Sequence, residues 1–154
     1  MTESAGISVV HALRALTVDL NMFAAEFARK HSFNVTDVRA LICLLDAQRS
    51  NTPATPGWLG AQLAINSASV TALIDRMTRA GHVRRERDVV DRRRILLHLT
   101  PAAVTLGENF FGPLIARVVD TADTFTSGEQ QTIRRFVTAI RDDVAAVRES
   151  SSDE

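Results

Sequence analysis

Eight arginines fall between residues 67 and 100: Arg76, Arg79, Arg84, Arg85, Arg87, Arg92, Arg93 and Arg94. Arginine presents a planar, permanently charged fork of donors that matches phosphate oxygens, so a cluster this dense is suited to gripping a polyanion. The same stretch holds four acids, whereas residues 1–66 balance five bases against five acids and residues 101–154 carry five bases against nine acids. The chain as a whole has a net charge of +0, which taken alone argues against nucleic acid. Its distribution argues the other way, because the positive charge is gathered in one segment and the acidic third is set apart. Three consecutive arginines, Arg92-Arg93-Arg94, repel one another at a turn unless a polyanion is present.

The elements that position these side chains are readable from spacing. Residues from about Ser67 to Ala80 place Val70, Leu73, Ile74 and Met77 at i, i+3, i+4 and i+7, one stripe of an α-helix. The opposite face holds Ala68, Ala72, Asp75 and Arg79, with Ser69, Thr71 and Arg76 on its flanks. A small, hydroxyl-rich, basic face opposite a core stripe suits a helix lying in the DNA major groove. Gly81 sits where such a helix ends in the left-handed conformation. Arg84-Arg85-Glu86-Arg87, the loop Asp88–Arg93 and the alternating Ile95, Leu97 and Leu99 then read as a two-stranded hairpin. A preceding helix with Trp58, Leu59 and Leu63, entered through a Thr55 cap and Pro56 and turning at Ala64-Ile65-Asn66, completes helix-turn-helix plus basic hairpin, a winged helix.

The candidate contacts with double-stranded DNA are therefore Ser67, Ala68, Ser69, Thr71, Ala72, Arg76 and Arg79 on the helix, with Arg85, Arg92 and Arg93 on the wing. Each has a plainer reading. The hydroxyls can serve only to satisfy backbone N–H groups at a helix start, though those same groups also bind phosphate. Arg76 and Arg79 can be solvated or paired with Asp75. The adjacent wing favours the DNA reading, and Arg93 carries most of it.

The flanking chain reads as helix. Residues 7–31 space Ile7, Val10, Leu13, Leu16, Leu20, Phe23 and Phe27 by three and four, more apolar surface than one helix buries on its own chain. A second helix, capped by Thr36, turns Val38, Leu41, Ile42, Leu44 and Leu45 inward. Thr100-Pro101 starts a long helix that Gly112-Pro113 is expected to kink. Thr126-Ser127-Gly128-Glu129 has capping-box spacing before a last helix with Ile133, Phe136, Val137, Ile140, Val144 and Val147 on one side. Residues 149–154 read as a disordered tail. The fold class is mainly α with a small β-hairpin wing: an N-terminal dimerisation helix over 1–34, a winged helix-turn-helix domain over 35–100 and C-terminal dimerisation helices over 101–148. A two-fold homodimer of this kind sets two reading helices about 34 Å apart, which calls for an inverted-repeat operator.

Composition narrows the classes. Hydrophobic residues make up 45% of the chain, enough for a core. No run of 18 apolar residues and no signal-peptide start is present, so no membrane segment is expected and the protein reads as cytoplasmic. The single Cys43 rules out an internal disulfide framework and, lying between Ile42 and Leu44, reads as a small buried hydrophobe rather than a redox sensor. His11, His31, His82 and His98 lack close ligand spacing, so neither zinc nor any other cofactor is implied. No nucleophile–base arrangement, paired carboxylates or P-loop is visible, which excludes the usual enzymes.

The chain resembles the MarR family of bacterial transcriptional regulators from about residue 7 to residue 147. The resemblance is carried by Leu59-Gly60-Ala61-Gln62-Leu63-Ala64-Ile65, Ser69-Val70-Thr71, Ile74-Asp75-Arg76-Met77, Gly81-His82-Val83-Arg84-Arg85, Asp88 to Arg93, and Leu97-His98-Leu99-Thr100. It implies a homodimer built by the first and last two helices, a reading helix in the major groove and a wing in the minor groove. Arg93 would be the wing-tip arginine, and Asp91 would orient the hairpin through a salt bridge to a nearby arginine. It also implies repression relieved by a small aromatic or phenolic effector, for which Phe23, Phe27, Phe33 and Phe110 are the candidates by position. Many members carry arginine where this chain has Ala72 and Val90; Ala68 and Ala72 instead allow close approach to thymine methyls. The competing class is a winged-helix module for protein–protein contact without specific DNA binding, which has little reason to keep the Asp91/Arg93 wing.

Overall fold

The computed structural model describes residues 4–151. Six helices and one hairpin follow in the order α1 (Ala5–His31), α2 (Val35–Arg49), α3 (Pro56–Leu63), α4 (Ser67–Arg79), β1 (Val83–Arg87), β2 (Ile95–Leu99), α5 (Pro101–Ala122) and α6 (Ser127–Ser150). The chain divides into two compact units, Met1–Phe110 and Phe111–Glu154, with the boundary inside α5 and just ahead of Gly112-Pro113. The first helix and the start of α5 pack with the winged helix because Phe23, Phe27 and Phe110 meet there. Helix α5 is continuous across Pro113.

The core of the first unit forms where the α4 stripe meets α2, α3 and the hairpin. Val70, Leu73, Ile74 and Met77 are all buried, against Leu44, Leu59, Leu97 and Leu99. Each such side chain removed from water contributes about 1.5–3 kcal/mol before ordering costs. Helices α3 and α4 approach most closely at Gly60, where a Cβ would lie 2.9 Å from Val70 Cγ2 and 3.3 Å from the Ile65 carbonyl oxygen. Thr55 caps α3 by accepting from Trp58 N at 3.2 Å, with Pro56 at the first helical position. Ala64 and Gly81 end the two helices in the left-handed region, at φ 52° and 78°.

Three expectations change. Helix α2 is capped by Asn34, not Thr36: Asn34 N donates to the Asp37 carboxylate at 3.1 Å in a capping box, because the acid stands three residues after Asn34. Of the α2 positions expected inward, Val38 and Leu44 are buried and Leu41 and Leu45 half-buried, but Ile42 is exposed because the stripe is narrower than the apolar run. The expected tail is helical through Ser150, whose hydroxyl bonds back to the carbonyls of Ala146 and Val147; residues 152–154 lie outside the described residues.

In the second unit, α6 begins with the expected capping box, Thr126 N donating to Glu129 at 2.8 Å and Glu129 N to Thr126 Oγ1 at 3.4 Å. Thr126 Oγ1 also donates to the Glu129 carboxylate at 2.7 Å, and that bond, with the one from Thr126 N, holds the Glu129 carboxyl below its usual range. Gln130 Nε2 donates to the carbonyls of Ala122 and Phe125 at 2.8 and 3.2 Å and so fastens the α5–α6 turn. No described residue of α6 is buried.

Helix α1 departs from the expectation of no membrane segment in one respect: by length and composition it is apolar enough to cross a bilayer. Arg14 and Asp19 fall within its apolar stretch, and each would cost about 2.5–3.5 kcal/mol at a bilayer centre. Its exposed apolar residues, among them Val10, Leu16, Leu20 and Met22, suit a protein surface instead.

Candidate nucleic-acid interface

The outward face of α4 is as the sequence reading placed it: Ser67, Ala68, Ser69, Thr71, Ala72 and Arg79 are all exposed. Their helix starts at an Asn66 cap, whose Oδ1 accepts from Ser69 N at 2.9 Å. The hydroxyls of Ser67 and Ser69 are thus not needed as the cap and remain at the surface. Thr71 Oγ1 donates to the Ser67 carbonyl at 2.9 Å, so towards a ligand it offers lone pairs and a methyl group.

Two of the candidate arginines hold the reading helix in place. Arg76 does not pair with Asp75. Its Nε donates to Asp37 Oδ2 at 3.2 Å and its Nη2 to Oδ1 at 2.5 Å, clamping α4 onto the first turn of α2. Asp37 is only 3% exposed, and its hydrogen bond raises the Arg76 pKa further above its ordinary value. Arg85 forms an ion pair with Asp75, fixing β1 to α4 from the other side. Arg76 is half-exposed and part of its fork still faces solvent.

The clamp yields a measurable coupling. Asp37→Ala is expected to lower unfolding free energy by about 1–3 kcal/mol, from the lost capping box and ion pair with the Arg76 share discounted for its exposure. Urea melts of Asp37→Ala, Arg76→Ala and the double variant check it, and strictly additive losses would mean that the pair contributes nothing.

The hairpin is antiparallel with Val83 opposite Leu99, Arg85 opposite Leu97 and Arg87 opposite Ile95. Its root is pinned by Thr100, whose N donates to the His82 carbonyl at 3.0 Å and whose Oγ1 donates to that of Gly81 at 2.7 Å. Leu97 N donates to the Ala54 carbonyl at 2.8 Å, so the loop before α3 lies along the inner edge of β2. At the tip, Asp91 does not make the expected salt bridge. Its Oδ1 accepts from Arg93 N at 3.0 Å and its carbonyl from Arg94 N at 2.9 Å, because a short acid at a turn start reaches the backbone first. An ion pair at the tip joins Asp88 with Arg94, at 3.7 Å, and Asp88 Oδ1 also accepts from Val90 N at 2.9 Å. Arg92 and Arg93 are exposed beyond that turn.

Phe23, Phe27, Phe33 and Phe110 do come together, as rings in contact. Centroids lie 4.8 Å apart for Phe23–Phe110, 5.0 Å for Phe27–Phe110 and 5.5 Å for Phe27–Phe33. The sequence reading missed His31 and His82, which extend the cluster: His31 sits 4.7 Å from Phe27, and His82 4.7 Å from Phe33. The cluster therefore runs from α1 to the residue that follows the reading helix and its glycine. Burial lowers the His82 pKa, partly offset by the Asp37 charge. Cys43 is half-buried against the core, and burial with nearby Asp46 pushes its thiol pKa up, away from reactivity.

The MarR family model matches residues 32–94, from just ahead of α2 through β1 and the wing-tip loop. The chain is 32% identical over 130 residues to the uncharacterized HTH-type transcriptional regulator YcgE of Bacillus subtilis (strain 168), covering 84% of this chain and 82% of that protein. Solved structures share the fold. A MarR family protein from Bacillus stearothermophilus matches with a TM-score of 0.66 at 20% identity, over 94% of this chain and 99% of that one. A mutant MepR from a multidrug-resistant S. aureus clinical isolate matches at 0.72 and 16% identity, over 88% and 96%. The S. aureus MepR–DNA complex matches at 0.57 and 16%, over 88% and 98%. With a winged helix whose reading face and arginine wing stand outward, and a relative this similar over most of both chains, the protein belongs to the MarR family of transcriptional regulators, which are DNA-binding proteins rather than enzymes.

Proposed function

We propose that the protein is a homodimeric, sequence-specific repressor that binds an inverted-repeat operator in the cytoplasm and is released by a small aromatic or phenolic effector. The observation that carries this reading is the exposed face Ser67, Ala68, Ser69, Thr71, Ala72 and Arg79, held rigid by the Asp37 and Asp75 ion pairs and flanked by Arg92 and Arg93. Rigid presentation matters because base-edge contacts are directional. Dimerisation is supported by the apolar residues left exposed on α1, α5 and α6, including Leu16, Val118, Ile133 and Val144. Two copies bring two reading helices to one face of the duplex, about 34 Å apart.

Release works by population shift. A ligand that favours a different separation of the two reading helices lowers affinity, and a hundredfold loss needs only about 2.7 kcal/mol between the states. The aromatic cluster is the proposed effector region because it ends on His82, at the foot of α4. Its tight packing means that an effector enters by displacing a ring.

The test is selection of duplexes from a random library at about 150 mM salt, where non-specific phosphate binding is suppressed. An inverted repeat with half-sites one turn apart is the expected result. On that site, Arg93→Ala is expected to weaken binding about tenfold and to reduce the salt slope by about one, with dimer and fold unchanged. Unchanged affinity would remove the wing from the account. A pool without consensus would place the protein–protein module first.

A further inference from the structure

The two most exposed large hydrophobic residues of the described chain are neighbours at the wing tip, Val89 at 91% and Val90 at 95%. They are not on a loose loop. Asp88 N donates to the Arg94 carbonyl at 3.0 Å, Asp88 Oδ1 accepts from Val90 N at 2.9 Å, and Asp91 closes the following turn on Arg93 and Arg94. The buried Asp88 thus holds the pair outward. Valine is β-branched and stiff, so little rotamer freedom is lost when such a tip meets a surface. Nothing on the protein itself covers either side chain.

Resting on the DNA-binding reading above, we propose that Val89 and Val90 form an apolar wedge that enters the minor groove between the phosphate contacts of Arg92 and Arg93 and reads how easily the base step beneath it deforms. Charge complementarity selects the occupant: the tip from Arg87 to Arg94 sets four arginines against Asp88 and Asp91, and Asp88 is paired with Arg94 while Asp91 is turned onto the Arg93 N–H, so the surface that receives the tip is anionic at its rims and apolar within. The minor groove has that character, with phosphates along its edges and sugar C–H groups on its walls. Valine makes no hydrogen bond there, so it does not read base edges. Apolar side chains in this groove gain contact by opening a base step, and flexible pyrimidine–purine steps open most readily. The wing then contributes specificity through the ease of distortion, while the arginines contribute affinity that every sequence shares.

The experiment measures binding of the full-length wild type and a Val89→Ser/Val90→Ser variant to the selected operator. Each is also tested on an operator whose step under the wing is changed from TA to GC, with the bend followed by energy transfer between end labels. The variant is expected to bind the TA operator about tenfold more weakly, to bend it less and to keep the wild-type salt slope, since no phosphate contact is lost. The wild type should discriminate TA from GC and the variant should not. Equal discrimination by both proteins, or unchanged affinity in the variant, overturns the wedge and leaves the repressor reading standing. A wild type that selects no site overturns both. Both valines are solvent-facing, so a folding defect does not confuse the result, and thermal melts of the two proteins should coincide.

Discussion

A chain ending at Gly128 is expected to sediment as a monomer and to lose at least about a hundredfold in operator affinity, because two half-sites are no longer held by one linked body. Helix α6 has no buried residue yet carries Ile133, Phe136, Val137, Val144 and Val147. A solvent-facing helix with that many large apolar side chains costs solubility unless a partner covers it. The unit Met1–Phe110 contains its own core, with Leu59, Ile74 and Met77 essentially inaccessible, so the winged helix should stay folded in the truncated chain. Sedimentation equilibrium and anisotropy on the selected operator separate the outcomes. A truncated chain that remained dimeric and bound its site with full affinity would remove α6 from the interface.

Phe27→Ala is expected to destabilise the protein by about 3–5 kcal/mol. Phe27 is 1% exposed and touches Phe33, Phe110 and His31, so truncation leaves a cavity that three rings border. Aromatic pairs of this geometry add about 0.5–1.5 kcal/mol beyond their buried area. Against a domain stability of about 5–15 kcal/mol, such a loss is readily seen as a shift in the urea midpoint. A loss below about 1 kcal/mol would instead show that the rings rearrange at small cost. That result would strengthen the effector reading, since a site that opens for a ligand must repack easily.

Local patterns were the legible part. The stripe Val70, Leu73, Ile74 and Met77 is buried throughout, Gly81 has positive φ, and Thr55-Pro56 and Thr126–Glu129 start their helices. Each is decided within a turn or two of chain, where period and cap chemistry suffice. The illegible part was set over distance. Arg76 meets Asp37, 39 residues away, and no spacing rule announces that pair. Asn34 and Thr36 are both good caps; the choice fell to the partner three residues on. Asp88 and Asp91 looked alike in sequence, but the hairpin buries one and exposes the other; the buried one takes an arginine as well as a backbone N–H, the exposed one the backbone alone. The phenylalanines converge through packing among α1, the α1–α2 turn and α5, which composition alone does not reveal.

The bond from Leu97 N to the Ala54 carbonyl has a consequence for how the molecule survives at high concentration. A two-stranded sheet has two free edges, and each is a template for pairing with a strand of another molecule. The loop carrying Ala54 occupies the inner edge of β2. The outer edge, along β1, reads Val83-Arg84-Arg85-Glu86-Arg87 and is exposed from Arg84 onward. Strands of two molecules laid edge to edge there would set arginine beside arginine and would have to desolvate them. Charge placed on the wing for a polyanion thus also keeps the wing from joining another wing. Replacing these arginines with neutral β-formers would remove the grip on a polyanion and the protection against edge pairing from the same strand, so a variant made only to weaken DNA binding should be watched for aggregation.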